Sequence, residues 1–492
     1  MESVSQSTGH AVFFPFMAKG HTIPLLHLIH LLRRRFPHLS VTLFTTAANR
    51  PFISQSLLDS DTDSISIIDL SFPQNVPGLP AGVESTDTLP STSLLPDLWA
   101  ATELMQPEFE KQLQSLPHPV NFLISDMFLW WTVESASKFG IPRINFSGMS
   151  NFSRAIVSSI NQNKLFDGIK SSDEMITVTD FPWVKFARDD FDEDFWHADR
   201  RTCLPFQLIM KSIHAATNSY GLIVNSFYEL EPTFCNFSSD RGMEMTWNIG
   251  PLCLAQTSTQ KLQTQQPNKT GTWLEWLEAK LRRGEPVLYV AFGSQAEISS
   301  EQMKEIEIGL EESGVSFLWA RKDKEIGDGF EERVKERGIV VREWVDQWEV
   351  LNHESVKGFL SHCGWNSVVE SLSCGVPVLA FPLVADQALN ARMVVEELRA
   401  GMRTVECGGL VKGFVKGKGL QRLVRELVEG EKGKEVRKRA MEISEMAKKA
   451  MAENGSSWRD LEQLVHKMCS NKLPLPQTVL AAPSGDVIND VH

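Results

Sequence analysis

Three groups of residues in this chain have types and spacings suited to chemistry. The densest lies between Trp344 and Gln387, WVDQWEVLNHESVKGFLSHCGWNSVVESLSCGVPVLAFPLVADQ. Val356 to Leu360 is a short apolar strand signal, Cys363-Gly364 turns the chain, and Trp365 to Ser373 has helical spacing. A strand that ends in a glycine turn and opens into a helix is an anion site, because the first helical N–H groups have no intrahelical acceptor and the dipole adds about half a positive charge there. His362, Asn366 and Ser367 add hydrogen-bonding side chains around that start, a set suited to a diphosphate. Trp344 offers a stacking face and Gln347 an amide that can read a base edge. Glu370, four residues after Asn366, can accept both hydroxyls of a ribose. Asp386-Gln387 follow a strand, and in open α/β sheets that end points to the ligand crevice.

The second group is His21 and Asp126. His21 stands where the first strand meets the first helix, and Asp126 ends the strand VNFLISD; both are carboxyl edges where doubly wound sheets present catalytic groups. A histidine there also reads as a helix-start residue, and the aspartate as a cap for the next helix. His27 and His30 lie further along the same helix and lack this placement. The third group, Phe128, Trp130 and Trp131, reads either as a wall for an apolar ligand or as core packing. Ser294 closes VLYVAFGS, where a Gly-Ser turn can donate to phosphate or simply end a strand.

The elements around these residues alternate. His10–Phe16, a helix from Gly20, Ser40–Thr46, Ser64–Leu70, a helix around Leu98–Leu113, Val120–Ser125, Thr132–Lys138, Arg143–Ser147 and Gly221–Ser226 predict a first doubly wound sheet. Between Phe166 and Trp196 the signal weakens, and the acidic run Asp189, Asp190, Asp192, Glu193 and Asp194 reads as a solvated loop beside a cleft; it lacks the spacing of a calcium loop. Residues 255–270, AQTSTQKLQTQQPNKT, read as a linker. A second series follows: a helix from Trp273, Val287–Phe292, Glu301–Glu312, Ser316–Ala320 and Ile339–Glu343. This predicts domains at 1–254 and 271–456, a closing helix at 457–472 with an apolar stripe of Leu461, Leu464, Val465 and Met468, and a disordered tail from 473.

A length of 492 residues exceeds one ordinary core. Hydrophobic residues at 42% and charged residues at 23% are those of a globular protein. The net charge of −13 argues against nucleic acid or anionic membrane as a partner. The seven cysteines are odd in number and never form CxxC, so neither a zinc site nor a disulfide framework is expected, and the compartment is expected to be the cytoplasm. No stretch reaches the ~18 apolar residues of a spanning helix. GxGxxG is absent after the first strand and after Val287–Phe292, which removes the main support for a dinucleotide oxidoreductase.

The run HCGWNS, with Glu370, Gly375-Val376-Pro377 and Asp386-Gln387 downstream, resembles the donor-binding signature of plant UDP-sugar-dependent glycosyltransferases that act on small molecules. FPFMAKGH matches the place of that family's general base. The resemblance implies an α/β fold of GT-B type, two Rossmann-like domains facing across a cleft. It implies His21 as base and Asp126 as its partner, and donor contacts from Ser294, Trp344, Val345, Gln347, His362, Gly364, Trp365, Asn366, Ser367, Glu370, Asp386 and Gln387. Phe128 and Trp131 are the acceptor-side candidates. The expected reaction moves a sugar, glucose first, from a UDP-sugar to a hydroxyl of a small lipophilic acceptor such as a flavonoid, with inversion. No metal and no cofactor are expected, and the chain is expected to act as a monomer. The alternative is extension of the sugar on an already glycosylated natural product. An epimerase would turn over UDP-sugar without an acceptor, and a binding protein that had lost catalysis would not need both His21 and Asp126. Asp346 stands where the family more often has proline, so the start of the signature is expected to be less rigid.

Overall fold

The apolar runs assemble into two wholly parallel sheets and a small hairpin. The computed structural model describes residues 9–57, 65–167, 171, 173–193, 196, 202–240, 245–255, 272–293, 297–321, 327, 329–405 and 411–470. Most of the predicted linker, the tail from 473 and Ser294 lie outside the described residues.

The first sheet comprises β1 (Gly9–Phe14), β2 (Leu39–Thr46), β3 (Ile65–Leu70), β4 (Phe122–Asp126), β5 (Arg143–Ser147), β8 (Gly221–Val224) and β9 (Met245–Asn248), in the order β3-β2-β1-β4-β5-β8-β9. Between β5 and β8, β6 (Met175–Val178) and β7 (Phe181–Ala187) pair antiparallel as the hairpin. The second sheet comprises β10 (Val287–Ala291), β11 (Ser316–Ala320), β12 (Gly338–Val341), β13 (Val356–Ser361), β14 (Val378–Ala380) and β15 (Gly401–Arg403), in the order β12-β11-β10-β13-β14-β15. Helices cover both faces of each sheet, so strands such as β1 and β10 are buried at every position and read as continuous apolar runs. Strand order reverses between β1 and β4 in one sheet and between β10 and β13 in the other. Those reversals are where open α/β sheets bind ligands.

Six helices position the site: α1 (Lys19–Arg35), α2 (Asn151–Gln162), α3 (Leu204–Thr217), α4 (Trp365–Ser373), α5 (Gln387–Arg392) and α6 (Ser456–Cys469). The helix expected around Leu98–Leu113 is broken into Leu95–Ala101, a 3₁₀ turn at Thr102–Met105 and Gln106–Gln114. Pro96 and Pro107 sit in the first turns of the two pieces, where a missing N–H costs least and a continuous helix would be interrupted. Helix α6 follows the second domain in sequence yet packs on the first sheet. Leu461, Leu464, Val465 and Met468 share a core with β1 and β2, the Asp460 carboxylate accepts from the Asn248 N–H at 2.7 Å, and Gln463 accepts from the Trp247 indole at 3.2 Å. Each such buried side chain contributes about 1.5–3 kcal/mol. A further apolar cluster contains Phe152 and Phe191 from the first domain with Trp365, Val368 and Leu389 from the second, so the two domains share a core at one end of the cleft.

Candidate active site

At the reversal of the first sheet, β4 ends on Asp126 and α1 begins five residues after β1. The His21 Nδ1 lies 2.8 Å from Asp126 Oδ2. The carboxylate is fully buried, whereas the imidazole keeps 23% of its side-chain surface exposed. Asp126 Oδ1 accepts from the Phe128 N–H at 2.9 Å, so both of its oxygens are fixed. An ionised carboxylate can only accept, which places the imidazole proton on Nδ1 and leaves Nε2 as the basic nitrogen. Burial disfavours protonation of His21, but the charge and hydrogen bond of Asp126 outweigh it, and Asp386 adds to them; the pKa is raised above the ordinary histidine value.

Behind the pair lies Arg143 of β5, a residue that sequence reasoning missed. Its Nε donates to Ser125 Oγ and Thr132 Oγ1, each at 2.8 Å, and its Nη2 to the Asp126 carbonyl at 3.3 Å. Burial pushes this guanidinium down to about 9, against the attraction of Asp126. It braces the strand end that carries the carboxylate. An arginine opening an otherwise apolar strand signal was the only clue in the sequence.

At the reversal of the second sheet, β13 ends at Ser361, Cys363 takes a φ of +63°, and Gly364 precedes α4. No side chain caps that helix start, so its first N–H groups remain for an anion. A Cβ at Gly364 would come within 2.5 Å of His362 Nε2, and one at Gly293 within 2.7 Å, so both glycines make room for the imidazole. Burial lowers His362 to about 4, which keeps it neutral at physiological pH. Gln347 Nε2 donates to Ser367 Oγ at 2.9 Å and to Glu370 Oε2 at 2.6 Å. Burial raises Glu370 to about 7 and Asp386 to about 6, each opposed by an amide hydrogen bond, from Gln347 and Asn390 respectively. Gln387 Oε1 accepts from the Leu383 and Val384 N–H groups at 2.9 and 3.1 Å, which leaves its amide nitrogen as the end able to donate to a ligand. Val345 is buried beside the cleft, and the Trp344 ring is 58% exposed with Lys19 Nζ 4.5 Å from its centre. Asp346 does not loosen the start of this segment: its carboxylate caps the helix Gln347–Leu351 by accepting from the Glu349 N–H at 3.2 Å.

The two reversals meet. Pro24 has no N–H, so the carbonyl four residues back, at Gly20, lacks its helical donor. The Asn366 amide supplies one across the cleft, and Asn225 of the first domain donates to Asn366 Oδ1 at 3.2 Å. The Trp365 indole donates to the Asn225 carbonyl at 2.9 Å. Asn366 is thereby aimed at the residue next to His21. The cleft so formed has a volume of ≈ 2210 Å³ and is lined from His21 and Phe128 through to Trp344, Glu370 and Asp386.

Phe128 flanks His21 with ring centres 4.8 Å apart and stacks on Trp99 at 4.0 Å. Trp131 does not wall the cleft. It is 1% exposed, packs edge-on against Phe14 and Phe109, and donates to Thr102 Oγ1, because the turn after Phe128 rotates the next aromatics into the core. Trp130 is buried likewise. The opposite wall comes from α3, which the sequence reading passed over. Phe206, Ile209 and Ile213 line the cleft there, and Met210 and Ile213 stay 45% and 37% exposed. The signal available was an amphipathic run opening at Pro205. The acidic run is solvated only in part: Asp189 and Glu193 are exposed, and Asp192 lines the cleft. Asp190 is buried against Arg392 of the second domain at 2.5 Å, and Asp192 accepts from the Ala385 N–H at 2.7 Å and from Lys412 at 3.0 Å. Asp194 lies outside the described residues.

Two Rossmann-like sheets, an imidazole–carboxylate pair on one and an uncapped helix start on the other, define a glycosyltransferase of GT-B type. The family model described as UDP-glucoronosyl and UDP-glucosyl transferase matches residues 264–452. UDP-glycosyltransferase 90A1 of Arabidopsis thaliana is 49% identical, covering 96% of this chain and 98% of its own. UDP-glucose flavonoid 3-O-glucosyltransferase 7 of Fragaria ananassa is 32% identical over 95% and 98% of the two chains. The crystal structure of Glycyrrhiza uralensis UGT73P12 complexed with glycyrrhetinic acid 3-O-monoglucuronide superposes with a TM-score of 0.82 at 29% identity, covering 94% of this chain and 96% of that one. The chain belongs to the plant UDP-glycosyltransferases and is an enzyme of that class. Among the described residues, no helix is long and apolar enough to cross a membrane.

Proposed function

We propose that the protein transfers glucose from UDP-glucose to a hydroxyl of a small lipophilic, phenolic acceptor, with inversion to a β-glucoside and without a metal. The observation that carries this reading is the His21–Asp126 pair, 2.8 Å apart and open to the cleft that also holds the α4 start. In this reading the acceptor lies between Phe128 and α3 with its hydroxyl toward His21 Nε2. The proton passes to Nε2 as the acceptor oxygen attacks the anomeric carbon and the bond to the diphosphate oxygen breaks. Asp126 stabilises the imidazolium that forms. The negative charge on the leaving UDP falls on the free N–H groups of α4, with neutral His362 and Ser367 beside them. Trp344 takes the uracil, Glu370 the ribose, and Asp386 with the Gln387 amide nitrogen the sugar hydroxyls.

A second reading, in which the acceptor already carries a sugar, is supported by the monoglucuronide bound in the Glycyrrhiza structure and by Ser158, Asn161 and Gln162, which line the acceptor side of the cleft. A screen of phenols, aliphatic alcohols and their glycosides with UDP-glucose, read by product mass, separates the two. Glycosylation of aglycones supports the first reading, and products from glycosides alone support the second. Activity that survives EDTA is expected; complete loss restored by Mg²⁺ would contradict the metal-free assignment. The scattered cysteines support action in the cytoplasm, and a monomer is expected on gel filtration.

A further inference from the structure

Asn390 of α5 is fully buried and uses both ends of its amide. Its Nδ2 donates to the Asp386 Oδ2 at 3.0 Å and to the Cys363 carbonyl at 3.1 Å. Its Oδ1 accepts from Ser153 Oγ of α2 at 2.9 Å, with Ser150 Oγ at 3.3 Å from the same atom. The Cys363 carbonyl can only accept, which puts Nδ2 on that side and leaves Oδ1 to the serine hydroxyls. The hydroxyls belong to the first domain, and the two acceptors belong to the donor segments of the second.

Each of these bonds has a geometric consequence. Cys363 holds a left-handed φ of +63°, and its carbonyl shares a planar trans peptide with the Gly364 N–H. Holding that carbonyl toward Asn390 therefore aims the Gly364 N–H the opposite way, at the start of α4. The bond to Asp386 fixes its carboxylate through one oxygen. Two further contacts from the first domain pin the same stretch: Asp192 accepts from the N–H of Ala385, which sits at a φ of +56°, and Asp190 pairs with Arg392 at the end of α5. A carboxylate and a left-handed turn, both needing an outside partner to stay put, thus receive it through one side chain that reaches into the acceptor domain.

We propose that Asn390 is a positioning residue that sets Asp386 and the Cys363–Gly364 turn for the donor only when α2 of the acceptor domain is docked, so that recognition of the sugar depends on domain closure. The inference rests on the reading of Asp386 as a sugar contact. Ser153 is the input to this relay, and Asp386 and the Cys363–Gly364 turn are its outputs. A donor that lacks the sugar, UDP itself, draws on the turn but not on Asp386.

The test uses the full-length protein with Asn390→Ala, Ser153→Ala and Ser153→Thr, leaving Ser150 to cap α2. Melting temperature, UDP affinity by calorimetry, and KM and kcat with UDP-glucose and UDP-galactose are measured on each. Expected is a fall in kcat/KM for UDP-glucose of about 10²-fold in Asn390→Ala, the scale of a misplaced contact, and of roughly 5–50-fold in Ser153→Ala, the scale of a coupling between sites. The glucose-to-galactose ratio falls in both, UDP affinity changes far less, and Ser153→Thr, which keeps the hydroxyl, restores the wild-type ratio. A purely structural role would lower the melting temperature while leaving KM and the sugar ratio unchanged, and that result overturns the inference. If Asn390→Ala does not fold, the two Ser153 variants decide alone. A wild-type protein inactive with every UDP-sugar overturns the underlying reading; an active wild type with unaltered variants overturns the inference only.

Discussion

The two sheets have the same strand order up to their reversal, yet the residues placed there differ. At the end of β1 and β4 an imidazole and a buried carboxylate touch each other and are braced by Arg143. At the end of β10 and β13 stands an uncapped helix start ringed by a neutral histidine, amides and two carboxyl groups that burial has made weak acids. In the proposed reaction one reversal moves a proton and the other receives a dianion that brings its own charge. Burial raises these two carboxyl groups to about 7 and 6, which lessens the negative charge they place beside a diphosphate near neutrality. A division of labour of this kind can be broken one side at a time, and the predictions run from the largest effect to the smallest.

The largest is Asp126→Asn. Transfer to an alcohol should fall by roughly 10²–10⁴, since an amide neither fixes the tautomer nor stabilises the imidazolium. The sign of the pH effect follows from the raised His21 pKa. The base must be neutral, so wild-type kcat/KM falls as pH drops through that raised value. Removing the carboxylate lowers the pKa and moves the acid limb to lower pH. A limb that stays in place would separate His21 from the rate.

On the other side, His362→Ala should cost roughly 1–3 kcal/mol in UDP affinity, as expected for a lost hydrogen bond to a charged group. Unchanged calorimetric affinity would remove His362 from the diphosphate. The contact between the reversals is tested by Pro24→Ala. The new N–H can satisfy the Gly20 carbonyl within α1, so thermal stability should hold or rise while kcat/KM drops by about 2–10-fold, the worth of one hydrogen bond. A lower melting temperature with unchanged kinetics would mean that Pro24 only shapes the helix.

The smallest effect concerns Glu370. With its pKa at about 7 in the free protein, it is partly protonated near neutrality. Ribose hydroxyls favour the ionised form, so UDP binding at pH 7 should release protons, and the binding enthalpy should vary with buffer ionisation enthalpy. Invariance across buffers would contradict a direct ribose contact.

The same comparison explains what was legible in the sequence. The donor side is carried almost entirely by one stretch from Trp344 to Gln387, so turn, helix start and polar side chains could be read as neighbours. His21 and Asp126 could be placed because strand ends are visible as the points where apolar runs stop, but the resemblance, not the placement, singled them out as base and partner. What stayed hidden depends on residues brought together from far apart. Asp190 and Asp192 look like a solvated charge run until Arg392 and the Ala385 N–H arrive from the other domain. Trp131 could not be told from Phe128, since three residues of a turn decide which ring faces the cleft. Asn390, three residues past the signature, carries no local mark of the serines it meets. Pro24 was visible, but its consequence for the Gly20 carbonyl needed Asn366 in place.

The central claim is that the proton and the donor are handled on separate domains, and one preparation of His21→Ala tests it. UDP affinity is measured by calorimetry alongside kcat for an aliphatic alcohol and for an acidic phenol. The account predicts near wild-type UDP affinity, a fall of roughly 10²–10⁴ in transfer to the alcohol, and a smaller loss with the phenol, which needs less help to ionise. Unchanged transfer to the alcohol, or a loss of UDP affinity as large as the loss of rate, would contradict it.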